Sequence, residues 1–295
     1  MRDGDFGAGE KTYGTIGIVG LGLIGASMAK TIKRRTKSQV LGFDRDTGVQ
    51  ESALKDGTID GRLTDNNIGS CELLLIALYP RACVDFISAK KELISRETMV
   101  IDLCGVKKAV IEPLMPVLED AAFSFIGGHP MAGTEKTGYY NSRGDLFNSA
   151  SMIFVPIKAS EEEIRRAEAF FMELGFGRTV RTDMDVHDRI IAFTSQLAHV
   201  VSNAYVKSPT ARVHDGYSAG SYLDLTRVAW LNEVMWTELF LDNREALSYE
   251  IDRLCDELKL YSRLIKEGKR EELMEELRQG RIQKEMIDRR EDLKK

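Results

Sequence analysis

Over the first 180 positions, short apolar runs alternate with segments whose apolar residues recur at helical spacing. Residues 15–19, 40–43, 73–78, 99–103, 123–126 and 151–156 are rich in β-branched or apolar side chains and predict strands, and 178–181 is suited to an added edge strand. Between them, 26–34, 46–56, 80–93, 106–118 and 160–174 suit helices. Strands alternating with helices of this length predict an α/β fold, a doubly wound parallel sheet covered on both faces. After Thr182 the strands stop and long helices follow. A boundary is therefore expected near Asp183, dividing an α/β domain over 14–182 from an all-α domain over 183–295. The polar, glycine-rich residues 1–13 are expected to be a short disordered lead-in.

Within the helical half, Ile190, Thr194, Leu197, Val201 and Ala204 recur at helical spacing and are expected to face a core. Asp188, Ser195 and His199, at i, i+7 and i+11, form a polar stripe on a second face. That stripe is either plain solvent contact or the lining of a wet cleft. Trp230, Trp236, Leu239, Phe240 and Leu247 form an apolar stripe suited to a core or a subunit interface. From Glu250 to the end, 13 acidic and 13 basic residues interleave around a thin seam of Leu254, Leu258, Tyr261 and Ile265, broken at Gly268 and Gly280. The charges cancel, so a solvated helical arm is expected, its seam suited to docking on a partner subunit.

The first predicted strand runs into Gly20-Leu21-Gly22-Leu23-Ile24-Gly25, and the second ends at Asp44, 19 residues past the third glycine. In a dinucleotide-binding (Rossmann) turn, the first glycine permits the tight turn and the second lets backbone approach the pyrophosphate. The third packs helix on strand, and the helix N-terminus offers amide donors. The acid at the second strand's end accepts hydrogen bonds from the ribose hydroxyls and disfavours a 2′-phosphate, so Asp44 favours NAD. The neighbouring Arg45 can serve a 2′-phosphate, which keeps NADP as an alternative. Asp102 and Gly105 lie at another strand end, and are read either as bordering the nicotinamide or as an ordinary strand-to-helix turn.

The segment Gly127-Gly128-His129-Pro130-Met131-Ala132-Gly133-Thr134-Glu135-Lys136-Thr137-Gly138 follows the fifth strand. Pro130 forces His129 into extended backbone, and four glycines are expected to hold the loop open, so His129 should stand where a strand ends. Strand ends of a doubly wound sheet line the ligand crevice. Arg227, following Ser218-Ala219-Gly220-Ser221, is suited to bidentate carboxylate binding. An internal ion pair with Asp224 or Asp188 is its other reading.

Composition narrows the classes. A formal net charge of -5 gives no reason to bind nucleic acid or an anionic membrane. No apolar run approaches a membrane span, and a cytoplasmic location is expected. Four scattered cysteines suggest neither a disulfide framework nor a zinc site, and no metal is expected.

The His129 segment, with Ser195-Gln196-Leu197-Ala198-His199 and Asp224-Leu225-Thr226-Arg227, resembles the prephenate and arogenate dehydrogenases over about 15–247. The resemblance implies a Rossmann domain, a helical domain that forms a homodimer, and an active site in the cleft between them. It implies NAD-dependent oxidative decarboxylation of prephenate, or of arogenate, in tyrosine biosynthesis. His129 would accept the ring hydroxyl's proton, Arg227 would bind a substrate carboxylate, and Asp188 would hold Arg227. Ser195, His199 and Gly220 would line the substrate pocket, Thr134 would touch substrate and Glu135 would gate the mouth. Trp236 matches a position that in relatives can reach the neighbouring subunit's site. Two positions depart from the pattern: Gly105 stands where many relatives carry a serine supporting the histidine, and Ala198 replaces a usual proline. A β-hydroxyacid dehydrogenase shares the layout but relies on a catalytic lysine and has no place for the His129 segment. A non-catalytic NAD-binding sensor is the remaining alternative.

Overall fold

The computed structural model describes residues 13–134 and 136–292. Most of the expected lead-in therefore lies outside the described residues. Tyr13, assigned to it from the sequence, is instead fully buried, its ring edge-on to Phe170 at 5.0 Å.

Eight strands form one sheet: β1 Thr15–Val19, β2 Gln39–Phe43, β3 Gly61–Arg62, β4 Leu73–Ile76, β5 Met99–Asp102, β6 Ser124–Pro130, β7 Ser151–Lys158 and β8 Arg178–Arg181. Their order is β3-β2-β1-β4-β5-β6-β7-β8. Only the β6–β7 pairing is antiparallel among them. The order reverses between β1 and β4, the switch point at which such sheets bind ligands. The helices that cross over between strands are α1 Leu23–Arg35, α2 Thr47–Lys55, α3 Pro80–Lys90, α4 Lys108–Asp120 and α5 Glu161–Glu173.

Strand side chains alternate between two apolar clusters, one on each face. Leu73 and Leu75 join α1 and α5 through Met28, Ile32, Phe170 and Phe171. Leu74 and Ile76 join α3 and α4 through Cys83, Ile87, Val110 and Leu114. Because both faces are covered, β4 and β5 read as unbroken apolar runs, the pattern of fully buried parallel strands.

After β8 come α6 Met184–Ile191, a π-helical turn at Ala192–Gln196, α7 Leu197–Tyr205, α8 Gly220–Thr226 and α9 Glu233–Asp242. The change from strands to helices falls at Asp183, but α6 to α9 belong to the same compact unit as the sheet, which runs to Arg244. A second unit begins at Glu245 and holds most of α10 Arg244–Lys266 and α11 Arg270–Asp292. Gly268 turns between them at φ +63°, whereas Gly280 lies within α11 and does not interrupt it.

The expected core stripe of the second half is buried only in part. Leu197 is buried and Val201 half-buried, but Ile190 is 49% exposed and Thr194 and Ala204 are exposed, while His187, Asp188, Ile191, Ala192 and Gln196 are buried. The π turn inserts one residue into the helical count between α6 and α7, so no single stripe at 3.6 residues per turn runs through both.

Candidate active site

The glycine loop after β1 divides its tasks as the spacing predicts. Gly20 turns at φ +89°, a conformation open to glycine. A Cβ on Gly25 would lie 1.8 Å from the Gly20 carbonyl oxygen, so α1 packs on the turn only because that side chain is missing. A Cβ on Gly22 would meet nothing within 4 Å, which leaves open space in front of the helix start. No side chain caps the N-terminus of α1, so its first-turn amides remain available. Leu23 and Ile24 form that turn, and the Leu21 side chain is fully buried beneath it. Asp44 pins the loop: its carboxylate accepts from the Leu21 amide at 2.8 Å and the Asp46 amide at 2.9 Å. Arg45 beside it is exposed.

His129 does not stand in a loop. It lies inside β6, opposite Ile153 of β7, because the antiparallel partner extends β6 through Pro130. Gly128 is likewise a packing requirement and not a hinge. A Cβ there would come within 2.5 Å of the Asp102 carbonyl oxygen. Beneath this backbone the buried Lys107 donates from Nζ to Asp102 Oδ1 and, at 2.5 Å, to the Gly128 carbonyl. Asp102 also accepts from the Cys104 amide at 3.0 Å and is completely buried. It therefore braces the ends of β5 and β6 from within, in keeping with the reading of this stretch as a strand-to-helix turn.

The imidazole of His129 is held by a second histidine, which the motif reading overlooked. His129 Nδ1 lies 2.9 Å from His187 Nε2, and His187 Nδ1 lies 2.7 Å from Asp188 Oδ1. Asp188 accepts two further bonds, from the Lys107 amide at 2.8 Å and the Lys108 amide at 2.9 Å. Its carboxylate thus caps α4 at the helix end that prefers negative charge. This corrects the expectation that Asp188 holds Arg227 or belongs to an open polar stripe: it is buried, and its bonds point to α4 and His187. Burial above all, with the Lys107 ammonium in addition, keeps the His129 imidazole well below its usual 6.5. Gly105 faces its other nitrogen. A Cβ on Gly105 would lie 3.8 Å from His129 Nε2 and 3.7 Å from Leu239 Cδ2 of α9.

A second group gathers around His199. Its ring packs on Trp236 with centroids 3.9 Å apart, and Nδ1 donates to the Val228 carbonyl at 3.0 Å. Burial first, and the charge of Arg227 in addition, depress its basicity against the opposing pull of that carbonyl. Arg227 itself is exposed and, among the described residues, makes no ion pair. The internal pairing with Asp224 or Asp188 is therefore absent there. Trp236 and Leu239 lie three residues apart on α9, about 4.5 Å along its axis, on one face. That face carries both groups, with Gly105 and His129 at Leu239 and His199 at Trp236. Gln196 fastens α9 by donating to the Leu239 carbonyl at 2.9 Å, and Asn243 donates to both Gln196 and the Asp188 carbonyl.

The remaining candidates stand further apart. Ser195 is half-buried within the π turn, Gly220 is the exposed first residue of α8, and Thr134 is exposed with its hydroxyl on the Lys136 carbonyl. Glu135 lies outside the described residues. The one signal that would have singled out His187 is its position directly before Asp188 in a chain with four histidines.

Residues 28–179 match the family described as prephenate dehydrogenase, nucleotide-binding domain, and residues 183–279 match the prephenate dehydrogenase dimerization domain. A cyclohexadienyl dehydrogenase of Zymomonas mobilis is 28% identical over 257 residues, covering 83% of this chain and 86% of the relative. A solved prephenate dehydrogenase from A. aeolicus, in complex with hydroxyphenyl propionate and NAD+, superposes with a TM-score of 0.80 at 26% identity, covering 93% of this chain and 98% of that one. The arogenate dehydrogenase of Synechocystis gives 0.77 at 25% identity, covering 90% and 96%.

Proposed function

We propose, because this chain belongs to the prephenate dehydrogenase family, that it oxidatively decarboxylates prephenate to 4-hydroxyphenylpyruvate with NAD, in tyrosine biosynthesis. The observation that carries the reading is the part-buried imidazole of His129, braced on one nitrogen by His187 with the other turned toward Gly105 and Leu239.

The residues fit a dinucleotide: space in front of Gly22, uncapped amides at the start of α1, and Asp44 at the end of β2 with lone pairs beyond the two it uses. When bound, the nicotinamide supplies the acceptor for the hydride leaving the ring carbinol carbon. His129 takes the carbinol's O–H proton as that carbon becomes a carbonyl. The ring carboxylate then departs as carbon dioxide. Its bonding pair flows through the ring to the carbonyl oxygen, which recovers the proton from His129 as a phenol. Aromatisation drives the step, and no net proton is consumed. Arg227, unpaired and beside His199, binds a substrate carboxylate, while Trp236 and Leu239 keep water from the ring. Asp44 favours NAD over NADP. The exposed apolar side chains of α6 to α9 and their connections, Phe193, Leu223, Trp230 and Val234 among them, suit a homodimer interface.

The test crosses prephenate and arogenate with NAD and NADP in a spectrophotometric assay. NADH formation fastest with prephenate is expected, and His129→Asn is expected to reduce kcat by about 10²–10⁴-fold with NAD affinity retained. An undiminished rate in that variant, or no reduced cofactor from either substrate, rejects the reading. Faster turnover of arogenate reassigns the substrate.

A further inference from the structure

Resting on the reading of His129 as proton acceptor, the geometry points to His187 as the residue that decides which nitrogen of His129 is basic. Asp188 is fixed independently of either imidazole by the Lys107 and Lys108 amides. A carboxylate only accepts, so the 2.7 Å contact requires the proton of a neutral His187 to sit on Nδ1. Its Nε2 is then a bare acceptor, and at 2.9 Å it takes the Nδ1–H of His129. One tautomer of His129 remains: Nδ1 protonated and Nε2 bare, with Nε2 the nitrogen that faces Gly105.

The groups around the pair agree with this order. Lys107 Nζ donates to Asp102 Oδ1 at the end of β5 and to the Gly128 carbonyl, and neither Lys107 nor Asp102 hydrogen-bonds to either imidazole among the described residues. From α9, the group nearest Gly105 is the apolar Leu239. When Nε2 gains the substrate's hydroxyl proton, no bond in the His129–His187–Asp188 series has to break. The Nδ1–H bond to His187 becomes charge-assisted, and the His187 Nδ1–H bond carries the polarisation on to Asp188. His187 is thus a positioning residue that touches neither substrate nor cofactor. It supplies from the helical side the support that a glycine at 105 cannot give.

Two measurements decide it. In nitrogen-15 NMR of imidazole-labelled protein without substrate near neutral pH, four histidines give a tractable spectrum, and His129→Asn identifies the relevant pair of signals. A protonated Nδ1 and bare Nε2 are expected at His129. The reverse tautomer overturns the proposal while leaving the activity assay to judge the function separately. In kinetics, His187→Leu removes the acceptor, and a loss of roughly 10²-fold or more in kcat with KM within about threefold is expected. His187→Gln keeps an acceptor oxygen near the Nε2 position and is expected to recover about tenfold of that loss. Equal activity in His187→Leu and wild type, or no difference between the two variants, overturns the proposal. If His187→Leu fails to fold, the wild-type tautomer and the glutamine variant still decide it.

Discussion

Replacing Asp188 by alanine removes, among the described residues, the partners of two buried donors, the Lys107 amide and His187 Nδ1, and of the part-buried Lys108 amide. Asp188 is 2% exposed, so each donor is left largely without water. A buried donor without a partner costs about 1–3 kcal/mol, and three of them about 3–6 kcal/mol with partial hydration of the truncated site. That is a large share of the ~5–15 kcal/mol that holds a typical domain folded. Asp188→Asn keeps the shape but sets an amide NH2 against the Lys108 amide, a loss of about 1–3 kcal/mol. Equilibrium urea unfolding followed by tryptophan fluorescence is the assay, because Trp230 and Trp236, the only two tryptophans, both report on the compact unit containing α6. The order alanine, asparagine, wild type is expected in the unfolding midpoint. Arg227→Ala is the control: the exposed guanidinium should leave the midpoint nearly unchanged while raising KM, and the double variant should be additive. A loss below about 1 kcal/mol for Asp188→Ala, or strong coupling to Arg227, would refute the assignment of Asp188 as cap and histidine anchor.

Two further outcomes follow from the same geometry. Gly25→Ala has to move its Cβ away from an oxygen 1.8 Å distant, which distorts the turn that faces the cofactor. A Kd for NAD raised about 10-fold or more is expected by calorimetry, and unchanged affinity would argue against cofactor binding at this turn. For pH, burial above all and the Lys107 ammonium lower the His129 value, so its neutral, proton-accepting form persists below the usual 6.5. The acid limb of kcat/KM should therefore lie below pH 6.5, with the profile level from there towards neutrality, and a limb at or above 6.5 contradicts the described environment. Stability shares the sign, since between the lowered native value and 6.5 the unfolded chain binds more protons and acid favours unfolding.

The parts of the fold legible beforehand are those set by neighbours in sequence. The β-branched and apolar runs, the glycine spacing and the acid at the end of β2 each express backbone sterics or local periodicity, and the strands they predict lie in the sheet within a few residues of the expected bounds. The two-residue β3 was invisible because so short a strand has no period to detect. The extension of β6 through His129 was missed because Pro130 and the glycines read locally as a loop, whereas pairing with β7 keeps the backbone extended.

The candidate site divides along the same line. His129, Arg227, His199 and the glycine turn were readable as residue types suited to their chemistry. The role of His187, and the turning of Asp188 away from Arg227, were not. On a regular helix neighbouring residues point about 100° apart. Periodicity therefore cannot announce that 187 and 188 are both buried, one reaching β6 and the other the start of α4. The π turn at Ala192–Gln196 then breaks the register between α6 and α7, although Leu197 is buried as its spacing predicts. Local sequence determined which segments become strands, helices and a nucleotide-type turn, because those choices rest on sterics and spacing within a few residues. Only the tertiary structure decided which imidazole braces which and where a carboxylate goes, because those contacts span 58 and 81 positions and exist only once α6 is packed against the strand ends.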